Sequence, residues 1–161
     1  MLVFTGNHCV YSKKYEARLV GLASEYQEKG LGILFVNSNA ASISTDDRLE
    51  LMRARAIDKN YPCPYVKDKN GTLANALGAT KIPQAIVGKW VEDEFVILYS
   101  GKIDDNPLMA ERVANHYLSD AIEKILAGSN EPTSTTPVAT ITCVFPETKS
   151  RIAASFSMKV L

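Results

Sequence analysis

No two cysteines in this sequence are spaced like a redox dithiol. The 161 residues hold three, Cys9, Cys63 and Cys143. Odd in number and far apart, they do not read as a disulfide framework. The two histidines, His8 and His116, are also remote from each other. No close Cys/His pair recurs beyond the adjacent His8 and Cys9, so no metal ligands and no cofactor are expected. An excess of charge is missing as well: eighteen basic and eighteen acidic residues cancel. That leaves no electrostatic footprint for nucleic acid or an anionic membrane. No apolar run approaches the ~18 residues of a membrane span. The N-terminus also lacks the basic, apolar and small-residue segments of an export signal, which makes the cytoplasm the expected compartment.

What is present is enough apolar content, 46%, to build the core of one domain. The chain is organised around Phe4-Thr5-Gly6-Asn7-His8-Cys9. Leu2-Val3-Phe4 is short, apolar and β-prone, Gly6-Asn7 signals a turn, and helical spacing begins at Val10. A cysteine at that junction faces the free N–H groups and the positive end of a helix dipole, which favour a thiolate.

Tyr11, Tyr15, Leu19, Leu22 and Tyr26 predict a helix over residues 9–29, stopped by Gly30. Residues 32–37 form a nearly continuous apolar run, as in a strand covered on both faces. Thr45 is the expected N-cap of a second helix, with Asp46 and Asp47 in its first turn and its end near Asn60. This strand, helix, strand, helix order argues for a parallel α/β sheet. Tyr61-Pro62-Cys63-Pro64-Tyr65 reads as extended. Leu73 to Leu77 predict a short helix stopped by Gly78. Ile82-Pro83 precedes a strand and is a place where a cis peptide would fit. The strand at 95–99 follows a hairpin connection expected over residues 88–94. Val113, Tyr117, Ala121 and Ile125 mark one face of a last helix ending at Gly128. Residues 129–137 read as a linker, residues 138–145 as an add-on strand carrying Cys143, and the tail after Pro146 as irregular.

This order resembles the thioredoxin fold, an α/β architecture with a central mixed β-sheet flanked by helices, here expected over residues 1–128. More narrowly, the chain resembles the peroxiredoxin-like branch of the alkyl hydroperoxide reductase/thiol-specific antioxidant family. That family carries Phe-Thr-Cys-Asn-His-Cys-Pro-Tyr where this chain has Phe4-Thr5-Gly6-Asn7-His8-Cys9-Val10-Tyr11. Further matches are Tyr15-Glu16-Ala17-Arg18-Leu19, Val36-Asn37-Ser38-Asn39, Tyr61-Pro62-Cys63-Pro64-Tyr65, Gly78-Ala79 before Ile82-Pro83, Gly101-Lys102-Ile103-Asp104-Asp105-Asn106 and Tyr117-Leu118-Ser119-Asp120-Ala121. Gly6 replaces the first cysteine of the family's pair, Val10 replaces a proline, and the family's N-terminal segment has no counterpart here.

The resemblance implies a thiol oxidoreductase. The Cys9 thiolate would reduce a hydroperoxide or a disulfide through a sulfenic acid or a mixed disulfide. Gly6 excludes the usual intramolecular dithiol cycle, so a thiol reductant, a thioredoxin-like protein or Cys143 would restore Cys9. The competing reading is a redox-inactive protein that binds a peptide or partner in the groove near Pro83. The expected catalytic residues are Cys9, His8 and Cys143, and the expected binding residues are Thr5, Gly6, Asn7, Ile82 and Pro83. His8 would stabilise the thiolate or relay a proton, although adjacent residues at a turn usually diverge, which favours a solvent-facing ring. Cys63 is read as a packing thiol, and Asp104, Asp105 and Asn106 as turn and capping residues.

Overall fold

The structure, a computed structural model, describes residues 1–132 and the strand Cys143–Val144. The remaining parts of the expected linker, add-on strand and irregular tail lie outside the described residues.

The chain begins with β1 (Leu2–Phe4), α1 (Val10–Glu28), β2 (Leu34–Asn37), α2 (Leu49–Asp58) and β3 (Tyr65–Lys67). The three strands are parallel and in register, Val3 beside Phe35 and Phe35 beside Tyr65. They continue the strand–helix alternation read from the sequence. Next come α3 (Thr72–Leu77), β4 (Lys81–Ile82), β5 (Gln84–Val91), β6 (Glu94–Gly101), α4 (Tyr117–Leu126) and β7 (Cys143–Val144). β5 runs antiparallel to β1, and β6 antiparallel to β5. The result is a mixed five-stranded sheet, ordered β3-β2-β1-β5-β6, with helices packed on it.

Alternation along the central strands sends side chains to opposite faces. Val3, Phe35, Ala85 and Val87 face one cluster with Tyr15, Leu19, Ala23 and Tyr26 of α1 and Leu118, Ala121 and Ile122 of α4. Phe4, Val36 and Ile86 face a second cluster with Ala74 of α3, Ile82 and Cys9. Cys9 therefore packs in the second cluster while most of α1 covers the first.

Several boundaries differ from the sequence reading. The hairpin connection is not residues 88–94, because β5 runs on to Val91 and only Glu92 and Asp93 turn. Trp90 packs edge-on against Phe95 across the pair, with ring centroids 5.4 Å apart, which rewards the longer ladder. Thr45 is not a helix N-cap. Residues Thr45–Asp47 form a separate 3-10 turn capped by Ser44, whose hydroxyl accepts from the Asp46 N–H, and α2 starts only at Leu49. The last helix begins at Tyr117 and buries Leu118, Ala121 and Ile122. Val113 precedes it, because the Asp105 carboxylate accepts the Ala114 and Asn115 N–H groups and holds that segment as a loop.

Segments far apart in the sequence meet at long range. Tyr15 of α1 donates to Asp104 Oδ1 at 2.8 Å, and Arg18 donates to Asp104 Oδ2 at 2.5 Å and to the Asn106 and Pro107 carbonyls. Glu16 takes a bidentate pair from Arg55 of α2 and a hydrogen bond from the Tyr61 hydroxyl. These contacts bind the loop after β6, and α2 as well, to the helix that starts at Cys9.

Candidate functional site

Cys9 closes the turn between β1 and α1. It is the residue capping α1, with extended φ/ψ of −69° and 121°, and its carbonyl accepts the Lys13 N–H at 3.0 Å. Its sulfur sits at the positive end of a 19-residue helix. The Sγ donates to the Ile82 carbonyl across 3.7 Å. Ile82-Pro83 is a cis peptide bond, as the sequence allowed. Cys9 and Ile82 are fully buried.

Gly6 stands beside this pair. A Cβ added there would lie inside contact distance of the Asn39 side-chain amide and 2.9 Å from Ile82 Cδ1. The Asn39 amide is fixed in turn by donating to Asn37 Oδ1 at 3.1 Å. A side chain at Gly6 would thus meet the ends of the Asn39 and Ile82 side chains.

His8 is not the free, solvent-facing ring that turn geometry suggested. Its side chain is 24% exposed and its Nδ1 pairs with Oδ2 of the fully buried Asp47. Oδ1 of the same carboxylate accepts the Asn7 N–H and the Asn37 amide, each at 2.8 Å. Asn7 also donates through Nδ2 to the Asp46 carbonyl, and its Oδ1 accepts from the Tyr65 hydroxyl. Lys67 Nζ caps the Asn39 and Asp47 carbonyls. Burial pulls the Lys67 ammonium below its ordinary pKa, against the opposing pull of Asp47 and Asp68. Burial likewise pushes the Tyr65 phenol above its usual range. One carboxylate therefore organises the whole Gly6-Asn7-His8 turn. It satisfies donors that would otherwise be buried and unpaired, and it orients the imidazole by holding one ring nitrogen.

In the sequence Asp47 shows only as a first-turn acid. The signal available there was two adjacent acids before the second helix, and nothing local distinguishes the buried one from its exposed neighbour.

The structure thus brings together Gly6, Asn7, His8, Cys9, Ile82 and Pro83. Thr5 is buried and extends β1 through its N–H to the Val36 carbonyl at 2.8 Å. The backbone of Cys143 in β7 lies opposite Ile82. Cys63 is a buried free thiol in the cluster under α1 and α4, and burial pushes it up to about 11. A depression of about 460 Å³ lies not over Cys9 but along α2, between Leu49, Arg53, Ile57 and the Tyr61 and Tyr65 rings. Among the described residues, no group of three or more His, Cys, Asp and Glu side chains could hold a metal ion. No helix there is long and apolar enough to cross a membrane.

No protein-family model and no curated protein matches the chain. Solved structures do. A hypothetical protein from Sinorhizobium meliloti 1021 superposes with a TM-score of 0.78 at 27% identity, covering 92% of this chain and 79% of its own. An uncharacterized conserved protein from Geobacillus kaustophilus gives 0.79 at 28% identity, covering 92% and 77%. The chain is similar in architecture to both.

Proposed function

We propose that this protein is a thioredoxin-like thiol oxidoreductase of the peroxiredoxin-like class, with Cys9 as its reacting sulfur. The observation that carries the reading is the convergence, within 3.7 Å, of the Cys9 sulfur at a helix start and the carbonyl preceding the cis Pro83.

In the peroxidase form, the Cys9 thiolate attacks one oxygen of a hydroperoxide. The O–O bond breaks, an S–O bond forms, and the departing alkoxide takes a proton, leaving a sulfenic acid and an alcohol. A thiol then attacks the sulfenic sulfur and releases water, and a second thiol reduces the resulting disulfide to restore Cys9. In the disulfide form, Cys9 attacks one sulfur, expels the other as a thiolate, and is freed from the mixed disulfide by an external thiol. A low-molecular-weight thiol, a thioredoxin-like protein or Cys143 supplies the reducing sulfur. His8, with Nδ1 held on Asp47, offers its other nitrogen to carry the proton. Free thiols at Cys9 and Cys63 suit a reducing compartment such as the cytoplasm.

The test is to expose the folded protein to hydrogen peroxide and an alkyl hydroperoxide, with dithiothreitol as reductant, and to map oxygen addition by peptide mass. Peroxide consumption that disappears in Cys9→Ser, with oxygen added at Cys9, supports the reading. An unmodified Cys9 and no consumption would falsify it.

The second reading, a redox-inactive partner-binding protein, is favoured by the complete burial of Cys9 and the filled position over Gly6. It requires that function survive Cys9→Ser intact.

A further inference from the structure

α2 buries only one of its side chains, Met52. Leu49, Arg53, Ala56 and Ile57, at i, i+4, i+7 and i+8, fall on a single stripe of that helix. With the Tyr61 and Tyr65 rings they line the depression of about 460 Å³, a volume within the roughly 300–1,000 Å³ of small-molecule sites. Leu49 is 51% exposed and Ile57 71%, so folding leaves apolar surface uncovered on this stripe. The polar groups around it are engaged elsewhere. The Tyr61 hydroxyl donates to Glu16, which also takes the bidentate pair from Arg55. The Tyr65 hydroxyl donates to Asn7 Oδ1 and accepts the Asn37 amide, each at 3.1 Å. Lys59 pairs with Asp58. Arg53 has no such partner: among the described residues it joins no ion pair.

We propose that the depression along α2 is a binding site for an aromatic carboxylate, with Arg53 holding the carboxylate and the ligand's ring against Tyr61, Tyr65 and Ile57. Charge complementarity selects the anion: the guanidinium is the uncompensated charge on this wall, and its planar fork matches a carboxylate. The carboxylate nearest the wall, Glu16, is already neutralised by Arg55 and does not oppose it. Two tyrosines whose hydroxyls are spent offer ring surface, which favours a flat ring over an aliphatic chain. Apolar area covered at Leu49 and Ile57 adds to the affinity without regard to charge. The site involves neither Cys9 nor Pro83, so it stands whether or not that thiol reacts. The Tyr65 side chain nonetheless joins it to the turn before Cys9, because its hydroxyl holds Asn7.

The experiment titrates the full chain with 2-naphthoate, and with 2-naphthalenemethanol as its uncharged analogue, by calorimetry. Amide shifts in the ¹⁵N-labelled protein locate the bound ring. The acid should saturate a single site, shift amides centred on residues 49–65, and bind at least ~10-fold more tightly than the alcohol. Arg53→Ala should erase that preference by weakening the acid alone. Ile57→Asp, at an exposed position, should weaken both, and circular dichroism checks that each variant keeps its helices. No saturable binding of the acid, shifts centred elsewhere, or an Arg53→Ala chain that binds the acid as tightly as the parent overturns the proposal. Octanoate binding more tightly than 2-naphthoate would overturn the aromatic assignment. None of these readouts involves thiol chemistry, so they are separable from failure of Cys9 to react.

Discussion

The Asn39 side-chain amide occupies the space into which a side chain at Gly6 would project. Asn39 is buried and its amide is held by Asn37 Oδ1. A side chain added at Gly6 must therefore displace this amide or the Ile82 side chain.

Gly6→Cys should therefore destabilise the fold by about 1–3 kcal/mol through overpacking. It should add no disulfide reductase activity in an insulin-reduction assay. Combined with Asn39→Ala, which removes the nearest obstructing atoms, it should recover a substantial part of that loss. Urea unfolding of the three chains checks this. A Gly6→Cys chain as stable as the parent and active on insulin would show that the space is open.

Asp47 anchors the turn through three donors, of which His8 is only one. Asp47→Ala should cost about 3 kcal/mol or more, because the Asn7 N–H and the Asn37 amide lose a buried acceptor. His8→Ala should cost about 1 kcal/mol, because that ring is partly solvated. Equal losses in urea unfolding would mean that the His8 contact, not the anchoring of Asn7 and Asn37, is the main contribution.

Arg18 and Tyr15 share Asp104, so the loop after β6 depends on a charge buried at its base. Burial and Asp104 together raise the Tyr15 phenol above its ordinary range. Asp104→Ala should lower stability by about 3–5 kcal/mol, since it strands the Arg18 guanidinium. Arg18→Met should also destabilise, because it leaves the buried Asp104 carboxylate held only by the Tyr15 hydroxyl and the Asn106 N–H. Hydrogen exchange in residues 104–107 should rise in both. A loss confined to activity, with unfolding midpoints unchanged, would contradict this structural role.

Cys63 supplies a pH test. Burial raises its thiol from 9.0 to about 11, so the folded state holds this proton more tightly than the unfolded chain does. The contribution is complete below about pH 9 and is lost as pH rises through about 11. Between pH 8 and pH 11 the parent should lose about 1–2 kcal/mol more stability than Cys63→Ala. The raised tyrosines Tyr15, Tyr61 and Tyr65 are common to both chains and cancel. Parallel pH profiles for the two chains would refute the assignment.

The sequence by itself determined the order of strands and helices up to β3, the helix starting beside Cys9, the glycine stops at Gly30 and Gly78, and the Ile82-Pro83 junction. Each of these is local. Helical spacing, β-branched runs and backbone restrictions act over a few residues and leave a readable trace. The hairpin turns later than the Gly88 signal suggests, because Trp90 packs on Phe95 across the pair and extends the ladder. Only the tertiary structure decided the rest. Asn7 meets Asp47 across 40 residues of chain, and Cys9 meets Ile82 across 73. Which acid is buried, and what fills the space over Gly6, depends on how β2, its following loop and β4 close around the first turn. No local periodicity encodes that closure, because the free energy resides in contacts that exist only once the sheet has assembled.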